Sequence, residues 1–226
     1  MTRIVAVTPT LADAVQSAGA ALARHAARGD SVFAVCLFSV DGDPDDAAAA
    51  ETLGLAGVVH VGAPPATARG YEGELGPYQG LRDGDEAPMV AAAGLAIALG
   101  RLRPELVLAP LGLSGHVDHR IVDRALEELS VPRLRWVDLP YALTRTPGAP
   151  LGAGEQVVVP AGEHMEAKLE ACRRLGADAE RIAAYAAEEG RRLGADGPVE
   201  VLVTHMPPRP DRNGGGAATG GHDAAA

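Results

Sequence analysis

Cysteine is nearly missing from this chain of 226 residues, which has Cys36 and Cys172 and no others. Two are too few for a disulfide framework, and both stand in apolar patterns, so buried free thiols are expected. Aromatic residues make up only 3%, and much of the apolar content that would build a core is alanine. Positive charge is short as well: 20 Lys and Arg face 30 Asp and Glu, a formal net charge of −10. Such a balance disfavours nucleic-acid phosphates or an anionic membrane as the main partner, while leaving room for a local basic pocket. No apolar run approaches the roughly 20 residues needed to span a bilayer. The first residues enter a strand without a signal-like apolar core, so a cytoplasmic location is expected. No internal repeat at a fixed period appears.

What is present is an alternation of apolar strands and helical patterns. Arg3–Thr8 reads as a strand, and Leu11, Val15, Ala18 and Leu22 recur at helical spacing until Arg28-Gly29-Asp30 closes the helix. Ser31–Val40 is a nearly continuous apolar run, as in a central parallel strand covered on both faces. Asp41–Asp46 reads as a turn, followed by an alanine-rich helix to about Leu53 and a third strand over Gly57–Val61. This order indicates a Rossmann-like, doubly wound α/β fold with a mostly parallel sheet and right-handed crossovers.

From Gly62 to Pro88 the pattern lapses into Gly, Pro and charge. A loop this long inside a compact domain is usually functional, so it is a candidate lid or substrate segment, with Tyr78 and Arg82 as its candidate binding groups. Helix then returns over Met89–Leu102, a fourth strand over Glu105–Ala109, and helix over Ile121–Leu129. A fifth strand is expected near Leu134–Val137, with a looser stretch over Pro140–Gly154. Helices are expected over Gly162–Leu175 and Ala177–Leu193, and a last strand over Val199–Thr204. Residues 1–206 are read as one domain, and 207–226 as a disordered tail too poor in apolar bulk to order itself.

The chemistry gathers in Ser114-Gly115-His116-Val117-Asp118-His119, between the fourth strand and its helix. Ligands bind outside the carboxyl ends of strands in open α/β sheets, and three chemically able side chains in four residues there mark a candidate site. Elsewhere the readings are plainer. Asp43-Pro44-Asp45-Asp46 fits a turn with helix-initiating acids, and His164 and Lys168 share a helix face where such residues are usually solvated. His60 and His205 have no sequence partners that would make either a site.

These residues together resemble the PIG-L/LmbE-like zinc-dependent N-deacetylases. The resemblance rests on the first strand with Pro9 after it, Arg28-Gly29-Asp30 and the following strand, and Leu53–His60. It continues through Leu102–Pro110, His116-Val117-Asp118-His119-Arg120 and Asp138-Leu139-Pro140-Tyr141, covering most of residues 3–141. Family members carry Pro-His-x-Asp-Asp after the first strand. The resemblance implies that its His and second Asp bind zinc with the last His of His-x-Asp-His, while its first Asp is the general base. The first His of the later motif would steady the oxyanion, with its Asp as a buttress.

Here the loop reads Pro9-Thr10-Leu11-Ala12-Asp13. Asp13, His116, Asp118 and His119 keep their positions, but Thr10 replaces a ligand and Ala12 replaces the base. A catalytic zinc normally needs three protein ligands and an open water position, and a threonine hydroxyl is a weak ligand. Thr10 and Asp13 also match a helix-capping arrangement. The expectation is a divergent member with a degraded zinc centre and no cofactor. Its catalytic candidates are Asp13, His116 and Asp118; Thr10, His119, Tyr78 and Arg82 are the substrate-binding ones. The reading placed first is a metal-independent, non-hydrolytic enzyme of specialised biosynthesis, acting on a small polar amine by ring closure or elimination. Its rivals are an N-deacetylase with a rearranged zinc site and a non-catalytic binding protein. A small-molecule substrate is the expected partner, with self-association left open.

Overall fold

The structure is a computed structural model that describes residues 1–39, 42–144, 151 and 154–205. The proposed tail, 207–226, lies outside the described residues. The N-terminal apolar run becomes β1 (Arg3–Thr8), buried from Ile4 onward on both faces. Ile4 and Ala6 pack beneath α1 (Leu11–Ala27), whereas Val5 and Val7 point to the layer of α3 (Ala87–Leu102) and α4 (Val117–Glu128). Burial on both faces is what a central strand with continuous apolar sequence provides.

β2 (Ser31–Cys36), β3 (Gly57–His60), β4 (Leu106–Pro110) and β5 (Arg133–Trp136) pair in parallel around β1. With β6 (Gln156–Pro160) and β7 (Val199–His205) they form one seven-stranded sheet of order β3-β2-β1-β4-β5-β7-β6. β7 runs antiparallel to both β5 and β6. The mostly parallel, doubly wound architecture expected from the sequence is therefore present. α1, α2 (Pro44–Thr52), α5 (Met165–Arg174) and α6 (Ala179–Arg192) cover the face opposite α3 and α4. No helix among the described residues is long and apolar enough to cross a membrane. Cys36 and Cys172 are buried free thiols, and burial pushes the Cys36 thiol up to about 12.

Several boundaries differ from the sequence reading. β2 stops at Cys36 because Leu37 and Phe38 turn their N–H groups to the carbonyls of Thr8 and Pro9 (3.0 and 2.9 Å), closing over the end of β1. α4 starts at Val117, four residues before the expected Ile121, so His119 lies inside it. β6 lay within no expected strand. Its residues alternate between half-buried and exposed, and its apolar run, Val157–Val159, is shorter than that of β1 or β2.

The expectation for Lys168 was wrong. The only lysine of the chain is 1% exposed, and its Nζ donates to Glu200 Oε1 at 2.7 Å. α1 is kinked at Ala18 (φ −133°, ψ 16°), and Glu200 accepts the freed N–H groups of Ala20 and Ala21 at 3.0 and 2.7 Å. Glu200 thus acts as a cap in the middle of a helix, and Lys168 balances its buried charge.

Candidate active site

β1 and β4 are neighbours on which the chain winds in opposite directions, so the loops leaving their carboxyl ends face one crevice. At the first loop Thr10, extended at φ −131°, precedes α1. Asp13 turns back, and its Oδ2 accepts from the Thr10 N–H at 3.1 Å and the Thr10 hydroxyl at 2.7 Å. At the second loop Gly112 and Gly115 take φ of 79° and 69°, conformations that favour glycine, and deliver His116 to the start of α4. His116 Nδ1 accepts the Asp118 N–H at 3.1 Å, and the His116 N–H donates to Ser114 Oγ at 3.0 Å.

One turn into α4, His119 points inward and is 2% exposed. Its Nε2 lies 3.4 Å from Asp13 Oδ1 and its Nδ1 lies 3.9 Å from Asp138 Oδ1. Asp138 follows β5, is fully buried, and accepts the N–H groups of Leu111 and Leu113. Three consecutive strands of the sheet, β1, β4 and β5, therefore supply a carboxyl–imidazole–carboxyl row. Tyr141 sets its ring edge-on to His119 with centroids 5.3 Å apart, and Tyr78 stands edge-on to His116 at 5.3 Å.

The charges along this row are set by competition between burial and pairing. Burial alone would raise the Asp13 carboxyl, but hydrogen bonds from His119 and Thr10 hold it below the usual range. Burial would likewise lower His119, and the Asp13 carboxylate overrides it upward. For Asp138 burial wins, raising it to about 6 despite His119 and two backbone donors. Burial lowers His116, and its neighbours leave it neutral at pH 7. Because its Nδ1 lone pair takes the Asp118 N–H, the neutral ring carries its proton on Nε2.

The Asp118 side chain has another partner. Its Oδ1 accepts from Arg69 Nη1 at 2.8 Å and its Oδ2 from the Ala66 N–H at 3.1 Å. What Asp118 gives His116 is its backbone donor. Arg69 also donates to Asp85 Oδ2 (3.1 Å) and the Pro64 carbonyl (2.7 Å), so the expected lid segment is fastened to the first turn of α4. Tyr78 reaches the site from that segment. Arg82 does not touch the histidines: its guanidinium donates to the Gly70 carbonyl and lies over the Tyr71 ring at 4.6 Å. Sequence reading singled out Thr10, Asp13, His116, Asp118, His119 and Tyr78 and missed the parts played by Asp138, Tyr141 and Arg69. Asp138 and Tyr141 stood in a quoted motif, which was the available signal; for Arg69 there was none.

A zinc ion would find two donors here, Asp13 and His119. The third position belongs to Thr10, whose hydroxyl proton is already given to Asp13. Among the described residues no group of three or more His, Cys, Asp or Glu side chains could hold a metal. This donor set does not fit a three-ligand catalytic zinc.

No protein-family model and no curated protein matches the chain. Solved structures do. The fold is that of the LmbE-like deacetylases, as the sequence motifs implied. The deacetylase of the A40926 pseudoaglycone, Dbv21, superposes with a TM-score of 0.69 at 23% identity, over 90% of this chain and 96% of its own. The deacetylase of the teicoplanin pathway gives 0.70 at 22%, over 90% and 97%. GalB, the 4-carboxy-2-hydroxymuconate hydratase from Pseudomonas putida KT2440, gives 0.64 at 18%, over 92% and 98%.

Proposed function

We propose that this protein is a divergent LmbE-like enzyme of specialised small-molecule metabolism. It acts on a small polar amine by metal-independent, non-hydrolytic proton transfer, with displacement of a leaving group and ring closure as the reaction. The observation that carries this reading is the hydrogen bond from Thr10 to Asp13. It turns the loop where the resemblance places a zinc ligand into a support for a carboxylate.

The Asp13 side chain is 15% exposed beside a nearly sealed His119, so it is the edge of the row that a substrate ammonium can reach. Its low proton affinity makes it a counter-ion rather than a final base. The ammonium proton passes through it to solvent at this exposed edge, while His119, which already donates to Asp13, keeps the carboxylate in place. The freed amine then attacks the carbon bearing the leaving group. A C–N bond forms, the bond to the leaving group breaks, and the departing anion takes the His116 Nε2–H as hydrogen-bond donor. Ala12 has no carboxylate to activate water, which would compete for the same carbon. Holding amine and electrophile within a near-attack geometry supplies several kcal/mol of barrier reduction. Support also comes from GalB, named as a hydratase: this fold is not confined to deacetylation.

A zinc-dependent N-deacetylase with a rearranged site is the second reading. It is favoured by the names of the deacetylase neighbours and by the facing of Asp13 and His119. Metal analysis of the purified protein, with turnover of leaving-group-bearing amines in the presence of chelator, separates the two. Zinc well below one per chain and chelator-resistant turnover are expected. Asp13→Asn and His116→Ala should each lower kcat/KM by about 10²-fold or more. Stoichiometric zinc lost in His119→Ala, or variants as active as the parent, refutes the proposal.

A further inference from the structure

Beside the histidines lies a cavity of about 410 Å³ lined by Leu113, Ser114, Pro140, Tyr141, Thr144 and Arg181. Three of these residues also hold the site together. The Leu113 N–H donates to Asp138, Ser114 Oγ accepts the His116 N–H, and the Tyr141 ring stands on His119. A molecule in the cavity is therefore separated from the catalytic row by the thickness of one side chain.

Among the described residues that line this space, the one charged side chain is a cation. Arg181 stands in the first turn of α6 and is exposed. Arg173, Arg174, Arg191 and Arg192 on α5 and α6 each hold a glutamate, whereas among the described residues the Arg181 guanidinium has no carboxylate partner. The nearby acid, Asp178, accepts the Arg181 backbone N–H at 3.0 Å as the cap of α6. The Ser114 hydroxyl accepts from His116 and keeps its own proton to donate. Leu113, Pro140 and Tyr141 supply an apolar wall. In a chain with a net charge of −10, a guanidinium without a carboxylate partner among the described residues, lining one cavity with a donor hydroxyl, is a local attraction for an anion.

We infer that this cavity is the subsite for an anionic group of the substrate, a carboxylate or a phosphate, with Arg181 as its counter-ion and Ser114 as a second donor. The inference rests on the site reading above and narrows the substrate to a zwitterion, its ammonium at Asp13 and its anion at Arg181. Arginine suits both anions because its planar fork can make two parallel hydrogen bonds to either.

The test is a binding measurement that does not depend on turnover. The arginine side-chain Nε–Hε resonances of the full chain are followed while inorganic phosphate or succinate is added at constant ionic strength. Arg181 should shift saturably with one of the two, and the anion that binds tighter identifies the class of the substrate's charged group. In Arg181→Met the affinity should fall on the order of 10-fold or more, and in Arg181→Lys by less. Asp13→Asn should leave the anion affinity within about 2-fold, because the cation at Arg181 is untouched. Absence of a saturable shift with both anions, or an Arg181→Met protein that binds equally well, overturns the inference. Unchanged turnover in Asp13→Asn with anion binding intact would strike only the catalytic reading.

Discussion

Replacing Arg69 by methionine removes a cation from between two buried acids. The Arg69 side chain is 7% exposed, Asp118 8% and Asp85 5%. The guanidinium also lies over the Phe38 and Tyr71 rings at 5.3 and 5.2 Å. Methionine keeps most of the apolar stem, so the loss is chiefly electrostatic. Asp118 would retain only the Ala66 N–H, and Asp85 the Ala87 N–H and the Tyr71 hydroxyl. Breaking a buried pair by removing one partner costs about 3–5 kcal/mol. With two ring contacts also lost, the upper half of that range is expected, a large share of a typical domain stability of about 5–15 kcal/mol. Denaturant unfolding of the parent, Arg69→Met, Asp118→Asn and the double variant measures it. In the double variant Asp118 no longer needs a cation, so the pair should show a coupling of about 1.5 kcal/mol or more. A loss below about 1 kcal/mol, or strictly additive single effects, would refute the view that Arg69 fastens the 62–88 segment to α4.

Three further outcomes follow from the buried groups. Asp138 titrates at about 6 in the folded protein against 3.8 for the free side chain, so it binds its proton more tightly when folded. Its cost is absent below about pH 4 and grows to the order of 3 kcal/mol above pH 6. The unfolding free energy of Asp138→Asn relative to the parent should therefore improve between pH 4 and 7, and a constant difference would contradict the assignment. Asp13, lowered by its partners, has the opposite sign, with stability present above its unfolded value and lost in acid. Thr10→Val should raise the Asp13 pKa towards 3.8, seen by carboxyl-carbon NMR titration, and cost about 1 kcal/mol for the lost hydroxyl bond. Lys168→Met should cost about 3–5 kcal/mol by stranding Glu200. In the parent, amine-reactive labelling of Lys168 should proceed only at the rate of global unfolding; rapid labelling of native protein would show that the pair opens locally.

The legible parts of the molecule were those written in consecutive residues. The runs Ile4–Val7, Val32–Cys36 and Leu106–Pro110 announce central strands because burial on both faces demands continuous apolar sequence. The motif around His116 announces a site because it sits at a strand-to-helix junction. What escaped notice depends on partners far along the chain. Lys168 looks solvated until Glu200, 32 residues on, is placed against it. Arg69 lies 49 residues before Asp118, and Asp138 lies 25 after Leu113. The start of α4 was misplaced because histidine is not a usual N-cap, and only the seating of its Nδ1 on the Asp118 N–H makes it one.

The bonds from Thr10 to Asp13 have a consequence for which substitutions the loop can accept. One carboxylate marks where a helix begins and also sets the charge beside His119, so neither property can be altered alone. A histidine at position 10 would remove the hydroxyl and leave Asp13 less well held before any ion had arrived to compensate. An aspartate at position 12 without that histidine would add a second acid to a site that balances its acids with few cations. Either step taken singly costs stability or charge balance, so positions 10, 12 and 13 form one coupled unit in which a change at any of them has to be met at the others.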